Sequence, residues 1–253
     1  MQVTDLPELK NIPLLQVHVH EIDMPGTLAR LDSFIKQRSP HHVVTLDASM
    51  CVTAMEDKAL REIVQNAELV TPDSVGVLWA SKRQGTPLQG RVSGVEIVER
   101  LCSLSAERNY RIFFFGAAPG VAEMAAKTMC NRYPGCKIVG TRDGYFDAGQ
   151  DRDIIHQIKE VKPDVLCVAL GIPKQERWIA EHRDELGTPV LIGVGGTFDV
   201  LSGKVQRAPL WMQHLCLEWL YRLVSNPKKI GKVMTLPRFV WLILTRKNSS
   251  PRQ

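Results

Sequence analysis

Much of what would classify this chain quickly is missing from it. No apolar run approaches the ~20 residues that a bilayer-spanning helix needs. Met1 to Lys10 mixes Asp5, Glu8 and Lys10 with Pro7 and offers no apolar h-region, so no secretory signal is expected there. The six cysteines (51, 102, 130, 136, 167 and 216) form no C-x-x-C pair. Most sit in apolar surroundings, as Cys167 does, and read as reduced core residues of a cytosolic protein, neither a disulfide frame nor a zinc site. Cys130 and Cys136 stand close together around Arg132-Tyr-Pro-Gly135, but no histidine or second cysteine pair completes a metal set. There is no G-x-x-x-x-G-K-[ST] and no G-x-G-x-x-G after a strand. The nearest approach, Gly193-Val-Gly-Gly196, is weak alone. No Ser-His-Asp, H-E-x-x-H or paired-glutamate pattern stands out either.

What remains is an ordinary soluble composition, 44% hydrophobic and 23% charged over 253 residues, enough for one large or two small domains. The charge is unevenly placed. Residues 210–253 hold eight Lys/Arg against Glu218 alone, a local +7 in a chain of net +5, which leaves 1–209 at −2. Such a distribution argues against a broad nucleic-acid-binding face and for a localised anionic partner.

Hydrophobic periodicity then gives a rhythm. Leu15–Val19 alternates as a half-buried strand with His18 and His20 on its polar, solvent side, and Thr27–Arg38 has helical spacing. His42–Leu46 is a strand, helical segments reach about Asn66, and Glu68–Val70 is a short strand ending at Thr71-Pro-Asp73. Helices are expected over Ser74–Gln84 and Ser93–Arg108. Strands at Tyr110–Phe115, Cys136–Gly140, Asp164–Leu170 and Pro189–Val194 alternate with helices, the one after Leu170 opening at Pro173. Strand–helix alternation at this spacing indicates βαβ units: an α/β, Rossmann-like body over 1–209 with a mainly parallel sheet and helices on both faces. Residues 210–253 form a separate basic, helical appendage. Trp211–Val224 can be amphipathic, Asn226-Pro227 breaks it, and the longest apolar run beyond is Phe239–Leu244. Basic residues beside Trp241 and Leu242 suit a helix lying on an anionic bilayer, though they also suit one packed on the body with its charges in water.

Several strand ends carry polar or glycine-rich residues: Thr45/Asp47, Asp73, Gly116–Gly120, Asp143–Tyr145, Gly171–Glu176 and Gly195–Asp199. In a doubly wound sheet these converge on one edge, where glycine lets backbone approach an anionic ligand and helix starts favour negative charge. A phosphate-bearing ligand is expected. Asp73, after Pro72, suits a general base toward a hydroxyl, or equally a cap for the helix beginning near Ser74. Asp151-Arg-Asp153 has the D-x-D spacing of metal-dependent sugar transferases, but acids opening a helix also simply complement its dipole.

Thr71-Pro-Asp-Ser-Val-Gly-Val-Leu-Trp79, Arg91-Val-Ser-Gly94, Phe114-Phe-Gly-Ala-Ala-Pro-Gly120, Asp143-Gly-Tyr-Phe146, Gly171-Ile-Pro-Lys-Gln-Glu176, Gly193-Val-Gly-Gly-Thr-Phe-Asp-Val-Leu-Ser-Gly203, Arg207-Ala-Pro209 and Glu218-Trp-Leu-Tyr-Arg222 follow in this order. Together, across about residues 14–240, they resemble the WecG/TagA/CpsF glycosyltransferase family. The resemblance implies an inverting, metal-independent transferase without a cofactor. It would move a sugar such as N-acetylmannosamine, its uronic acid or glucose from a UDP-sugar to a polyprenyl-diphosphate-linked saccharide in cell-envelope polysaccharide synthesis. Its place would be the cytoplasmic side, peripheral on the cell membrane, and a homo-oligomer is compatible with it. Carried over by motif, Asp73 would deprotonate the acceptor and Thr45 would sit by the donor sugar and phosphate. Gly116, Tyr145, Gly171, Pro173, Lys174, Gln175, Glu176, Gly195 and Asp199 would line the UDP pocket, with Arg207 and Arg222 neutralising the leaving diphosphate. Two positions depart from the family's common pattern: Asp73-Ser74 replaces Asp-Gly, and Thr45-Leu-Asp47 replaces Thr-x-Asn. A Rossmann-like oxidoreductase and a non-catalytic, UDP-binding scaffold at the membrane are the alternatives.

Overall fold

A computed structural model describes residues 6–147, 149–205 and 235–245. A six-stranded parallel sheet forms the centre, with β3 (His41–Leu46), β4 (Leu69–Pro72), β5 (Arg111–Gly116), β6 (Lys137–Arg142), β7 (Val165–Ala169) and β8 (Val190–Gly193) in the order β4-β3-β8-β7-β5-β6. The inner strands β3, β7 and β8 are buried along their whole length, as the near-continuous apolar runs of a two-sided parallel sheet require. Edge strand β6, with Lys137 and Arg142 at its ends, is only half-buried.

Alternation along the strands sorts the core into two faces. Val43, Leu69, Phe114, Cys167 and Ile192 point to one, packed under α1 (Met24–Gln37), α5 (Gly94–Arg108), α6 (Val121–Arg132) and α9 (Thr197–Leu201). Val44, Val70, Phe113, Phe115, Leu166 and Leu191 point to the other, under α2 (Ala48–Glu56), α3 (Lys58–Gln65), α4 (Val75–Arg83), α7 (Asp151–Glu160) and α8 (Lys174–Leu186). The three consecutive phenylalanines of β5 are fully buried, each contributing about 1.5–3 kcal/mol.

The amino-terminal segment differs from its expectation. It is a hairpin, β1 (Asn11–Leu14) and β2 (Val17–His20), forming its own two-stranded antiparallel sheet. Leu15, at φ 56°, turns the chain without the Asn or Gly that would have announced it. The hairpin lies over the second face, so His20 is buried and its Nδ1 accepts from the Val70 N–H at 2.8 Å, while His18 is half-buried. Neither imidazole is the solvent-facing residue that simple alternation suggests.

Of the tail, Thr235–Thr245 forms helix α10. Phe239 and Ile243 are buried among the α2 and α4 residues of the second face, and Arg238 pairs with Glu56. Trp241 and Leu244 are exposed. Trp211–Val224 lies outside the described residues, and no described helix is long and apolar enough to cross a membrane.

Candidate active site at the carboxyl edge

The strand order creates two crevices at the carboxyl edge of the sheet. The chain leaves β5 toward α6 on one face and leaves β7 toward α8 on the other, and it likewise leaves β3 and β8 toward opposite faces. Between adjacent strands whose outgoing helices part in this way, open α/β sheets bind ligands.

The β5/β7 crevice is made of backbone. Gly116 has φ +123°, and a Cβ there would lie 2.5 Å from the Ala169 carbonyl, so only glycine fits. The Ala117 N–H donates to Ala169 O at 2.9 Å, and Gly144 N–H donates to Ala117 O at the same distance. These bonds bring Gly116, the Asp143–Tyr145 turn and the end of β7 together, as their motifs suggested. Tyr145 stands 72% exposed at the rim. Lys174 is also exposed, its Nζ 4.3 Å from the centroid of the Phe146 ring. Pro173 follows a cis peptide bond and is the residue before helix α8, one position ahead of the expected N1 place.

Gln175 and Glu176 lie deeper than the loop they follow. Gln175 is 1% exposed, and its Oε1 accepts from Gly171 N–H at 3.2 Å and Gly195 N–H at 3.0 Å. Its Nε2 donates to Glu176 Oε1 at 2.7 Å. This side chain therefore ties the β7 loop to the β8 loop. The cost of the arrangement falls on Gly193: a Cβ there would come within 2.6 Å of Gln175 Nε2 and 2.9 Å of Glu176 Oε1. The Gly193-Val-Gly-Gly196 run is thus shaped partly by packing against α8.

The β3/β8/β4 side is built from side chains. Thr45 is buried, and its hydroxyl donates to Gly193 O at 2.8 Å across the crevice. Thr197 Oγ1 donates to Val194 O at 2.7 Å, and Asp199 sits in the first turn of α9. Asp73 follows the last residue of β4, half-buried. Its N–H donates to Leu46 O at 3.0 Å, while Val92 N–H donates to Pro72 O at 2.8 Å. The carboxylate-bearing residue is therefore held between the end of β3 and the Arg91–Gly94 segment.

Capping of α4 is done by Ser74, whose Oγ accepts from Val77 N–H at 3.3 Å and also from Ala48 N–H at 3.2 Å in α2. Asp47 caps α2 through Met50 N–H at 2.7 Å. Both departures from the family pattern thus serve helix starts. Ser74 has φ −126°, extended backbone that needs no glycine. Asp151 is likewise occupied, accepting from the Trp178 indole N–H at 2.8 Å.

Two contributors were not among the expected site residues, although the first belongs to the helix expected from Ser93. One is the start of α5, a fifteen-residue helix whose Gly94 packs against Thr45, Thr197 and Val194, with Ser93 capping Glu96 N–H at 3.4 Å. The Ser93-x-x-Glu96 spacing was a readable start signal. The other is Arg142, closing β6 opposite Phe115, with its Nε buried and lacking an acceptor among the described residues. Arg207 and Arg222, expected to meet the diphosphate, lie outside the described residues.

The chain is similar to known proteins along nearly its whole length. A family model described as the glycosyl transferase WecG/TagA/CpsF family matches residues 12–253. An N-acetylglucosaminyldiphosphoundecaprenol N-acetyl-beta-D-mannosaminyltransferase of Bacillus spizizenii is 31% identical over 241 residues, spanning 95% of this chain and 93% of the relative. The protein of the same name from Bacillus subtilis strain 168 is 32% identical over 240 residues, 91% of this chain and 92% of its own length. That from Staphylococcus aureus strain MW2 is 29% identical over 249 residues, at 98% and 97%.

Proposed function

The chain belongs to the WecG/TagA/CpsF glycosyltransferase family, and on that premise we propose that it transfers an N-acetylmannosamine-type sugar from a UDP-sugar to a polyprenyl-diphosphate-linked saccharide, with inversion. The relatives' names supply the acceptor class and the sugar type. Membership sets aside the oxidoreductase alternative.

The observation that carries the mechanism is the placement of Asp73 on the side-chain-built half of a carboxyl edge whose other half is glycine-lined backbone. In a single displacement, the Asp73 carboxylate takes the proton of the acceptor hydroxyl. The acceptor oxygen bonds to the anomeric carbon on the face opposite the leaving group. The bond from that carbon to the β-phosphate oxygen breaks, and UDP departs with the electron pair. Its developing charge needs donors fixed in advance. The Gly116–Gly120 and Gly171–Lys174 loops bring backbone to this charge, although the Ala117 and Gly171 N–H groups are spent on Ala169 O and Gln175 Oε1, with Gln175 and Glu176 holding the loops from behind, Tyr145 at the rim and Gly195 and Asp199 on the β8 side. Arg142 adds a cation at the β6 corner, and Arg207 and Arg222 are proposed to add two more. Thr45, spent on the Gly193 carbonyl, shapes the wall beside the donor sugar.

We assign the enzyme to the cytoplasmic surface of the membrane, where the basic 210–253 segment meets anionic lipid and the exposed Trp241 and Leu244 of α10 add apolar area. The deciding experiment supplies UDP-N-acetylmannosamine and a short-chain N-acetylglucosaminyl-diphosphate lipid, then follows UDP release and product anomeric configuration by mass spectrometry and NMR. A β-linked product from the α-configured donor is expected. Retained configuration, or no UDP release with any UDP-sugar, overturns the proposal.

A further inference from the structure

A cavity of about 330 Å³ opens at the amino end of the sheet, between α3 and α8. That volume sits at the small end of the ~300–1,000 Å³ range of small-molecule pockets. Ala59, Glu62, Ile63 and Asn66 line it from α3 and its carboxyl cap, at the i, i+3, i+4, i+7 spacing of a single helix face. Ala180 and Arg183, one turn apart, line it from α8. His42, at the start of β3, supplies the remaining wall, on the same face of the sheet as Val44 by strand alternation. Arg183 stands eight residues beyond Gln175, about 12 Å along α8 from the carboxyl edge.

The polar groups here are incompletely satisfied. His42 is 2% exposed, yet its Nε2 has no hydrogen-bond partner among the described residues. A buried polar atom in that state is a standing penalty, which a ligand can remove. Arg183 donates from Nη2 to Glu68 Oε1 at 2.6 Å and to Pro40 O at 2.9 Å, and from Nη1 to Glu68 Oε2 at 3.3 Å. Three of its five N–H bonds are thereby engaged, and Nε lies 3.8 Å from Asp184 Oδ1, beyond hydrogen-bonding reach. The charges, by contrast, are matched: Arg183 by Glu68, and Glu62 at the rim by Lys58, with 3.6 Å between Nζ and Oε1. Burial keeps the His42 imidazole neutral at physiological pH, its pKa pushed down to about 4.

We propose that this cavity binds one ring of an uncharged sugar, at a site separate from the donor edge. A hydroxyl group both donates and accepts, so it serves the His42 Nε2 in either tautomer. Neighbouring hydroxyls on the same ring accept from the Arg183 guanidinium and donate to the Glu62 carboxylate and the Asn66 side chain at the rim. The ring's C–H surface packs on Ala59, Ile63 and Ala180. An ionic ligand is disfavoured, because it would bring a charge to a cavity whose own charges already have counter-ions. A free monosaccharide and one unit of a longer saccharide share this chemistry.

The test titrates the full chain, carrying isotope-labelled histidine, with N-acetylglucosamine and follows the imidazole nitrogens by long-range proton–nitrogen NMR correlation. His42→Gln identifies the His42 signals by their loss. Saturable movement of the His42 Nε2 signal is expected, and inorganic phosphate and acetate should leave that signal in place. Ala59→Leu fills the cavity from an exposed position and should lose the movement, while circular dichroism confirms that the variant folds. Chitobiose separates the two sources: tighter binding than N-acetylglucosamine supports a unit of a longer saccharide, and equal or weaker binding supports a free sugar. No movement at His42 with either sugar, movement that persists in Ala59→Leu, or a stronger response to phosphate or acetate would overturn the site.

Discussion

The two ends of the same sheet use their polar groups in opposite ways. At the amino end, acidic residues placed just before a strand seize an N–H at the start of the neighbouring strand. Glu68, ahead of β4, accepts from His42 N–H at 2.7 Å, and Asp164, ahead of β7, accepts from Arg111 N–H at 2.8 Å. Each is then paired with an arginine: Glu68 with Arg183 at 2.6 Å, Asp164 with Arg38. At the carboxyl end, β5, β7 and β8 run through glycine-containing loops into α6, α8 and α9, whose starts carry no side-chain cap. Charge at one end completes the protein's own backbone; backbone at the other end is left to meet charge that arrives with a ligand. This predicts that substitutions at the two ends separate stability from activity.

The largest separation is expected at Asp73. Asp73→Asn should lower the transfer rate about 10²–10⁴-fold, the usual worth of a positioned general base, while the thermal midpoint stays close to that of the parent. UDP release and a melting curve on the same preparation measure both. Turnover near the parental level would remove Asp73 from the base role and break the comparison where it matters most.

Part of this contrast was legible before any coordinates. The six parallel strands and the helices between them follow from apolar runs of four to six residues bounded by Gly, Pro and Asp, and the converging strand ends follow from that topology. Two kinds of feature were not legible. The Leu15-Gln16 turn carries no turn residue, so the hairpin and the burial of His20 were lost with it. Long-range polar partnerships such as Gln175 with Gly195 depend on where α8 docks, which no local pattern encodes. That is why Gln175 reads as a pocket wall in sequence and lies buried behind the loops in space.

At the amino end the mirror experiment is Asp164→Ala. Its carboxylate is 8% exposed, and removing it strands the Arg111 N–H and the Arg38 guanidinium. A loss of about 1–3 kcal/mol in unfolding free energy is expected, with kcat unchanged below the melting range. Urea titration and UDP release check the two halves; a fall in kcat without a fall in stability would reverse the assignment.

A smaller effect should appear with pH. Burial pushes His42 down to about 4, against the opposing pull of Glu68. Its folded-state value lies below that of the unfolded chain, near 6.5, so the unfolded state takes up a proton that the folded state refuses. The stability lost is nil above pH ~6.5 and grows as pH falls toward 4, by up to about 1.4 kcal/mol per pH unit for this group. His20, also pushed down to about 4 by burial first, adds loss in the same direction. Urea midpoints should therefore drop between pH 7 and pH 5. His42→Gln should flatten that slope by one proton's worth, and an unchanged slope would show that the imidazole titrates normally.

The smallest expected effect is the most discriminating, because it falls where the two uses of polar groups meet. Ser74 adjoins Asp73, yet its hydroxyl behaves like an amino-end carboxylate, satisfying the N–H groups of Val77 and Ala48. Ser74→Gly restores the family's common residue. Glycine is itself a tolerable N-cap, so the loss should be only a few tenths of a kcal/mol. The backbone at 74, φ −126°, is one that serine already adopts without strain, so glycine gains no conformation the site lacks. Transfer with each UDP-sugar should then stay within about twofold of the parent. A larger change, or a switch in the preferred sugar, would mean that residue 74 touches the donor and that the boundary between scaffold and site runs through Ser74, not beside it.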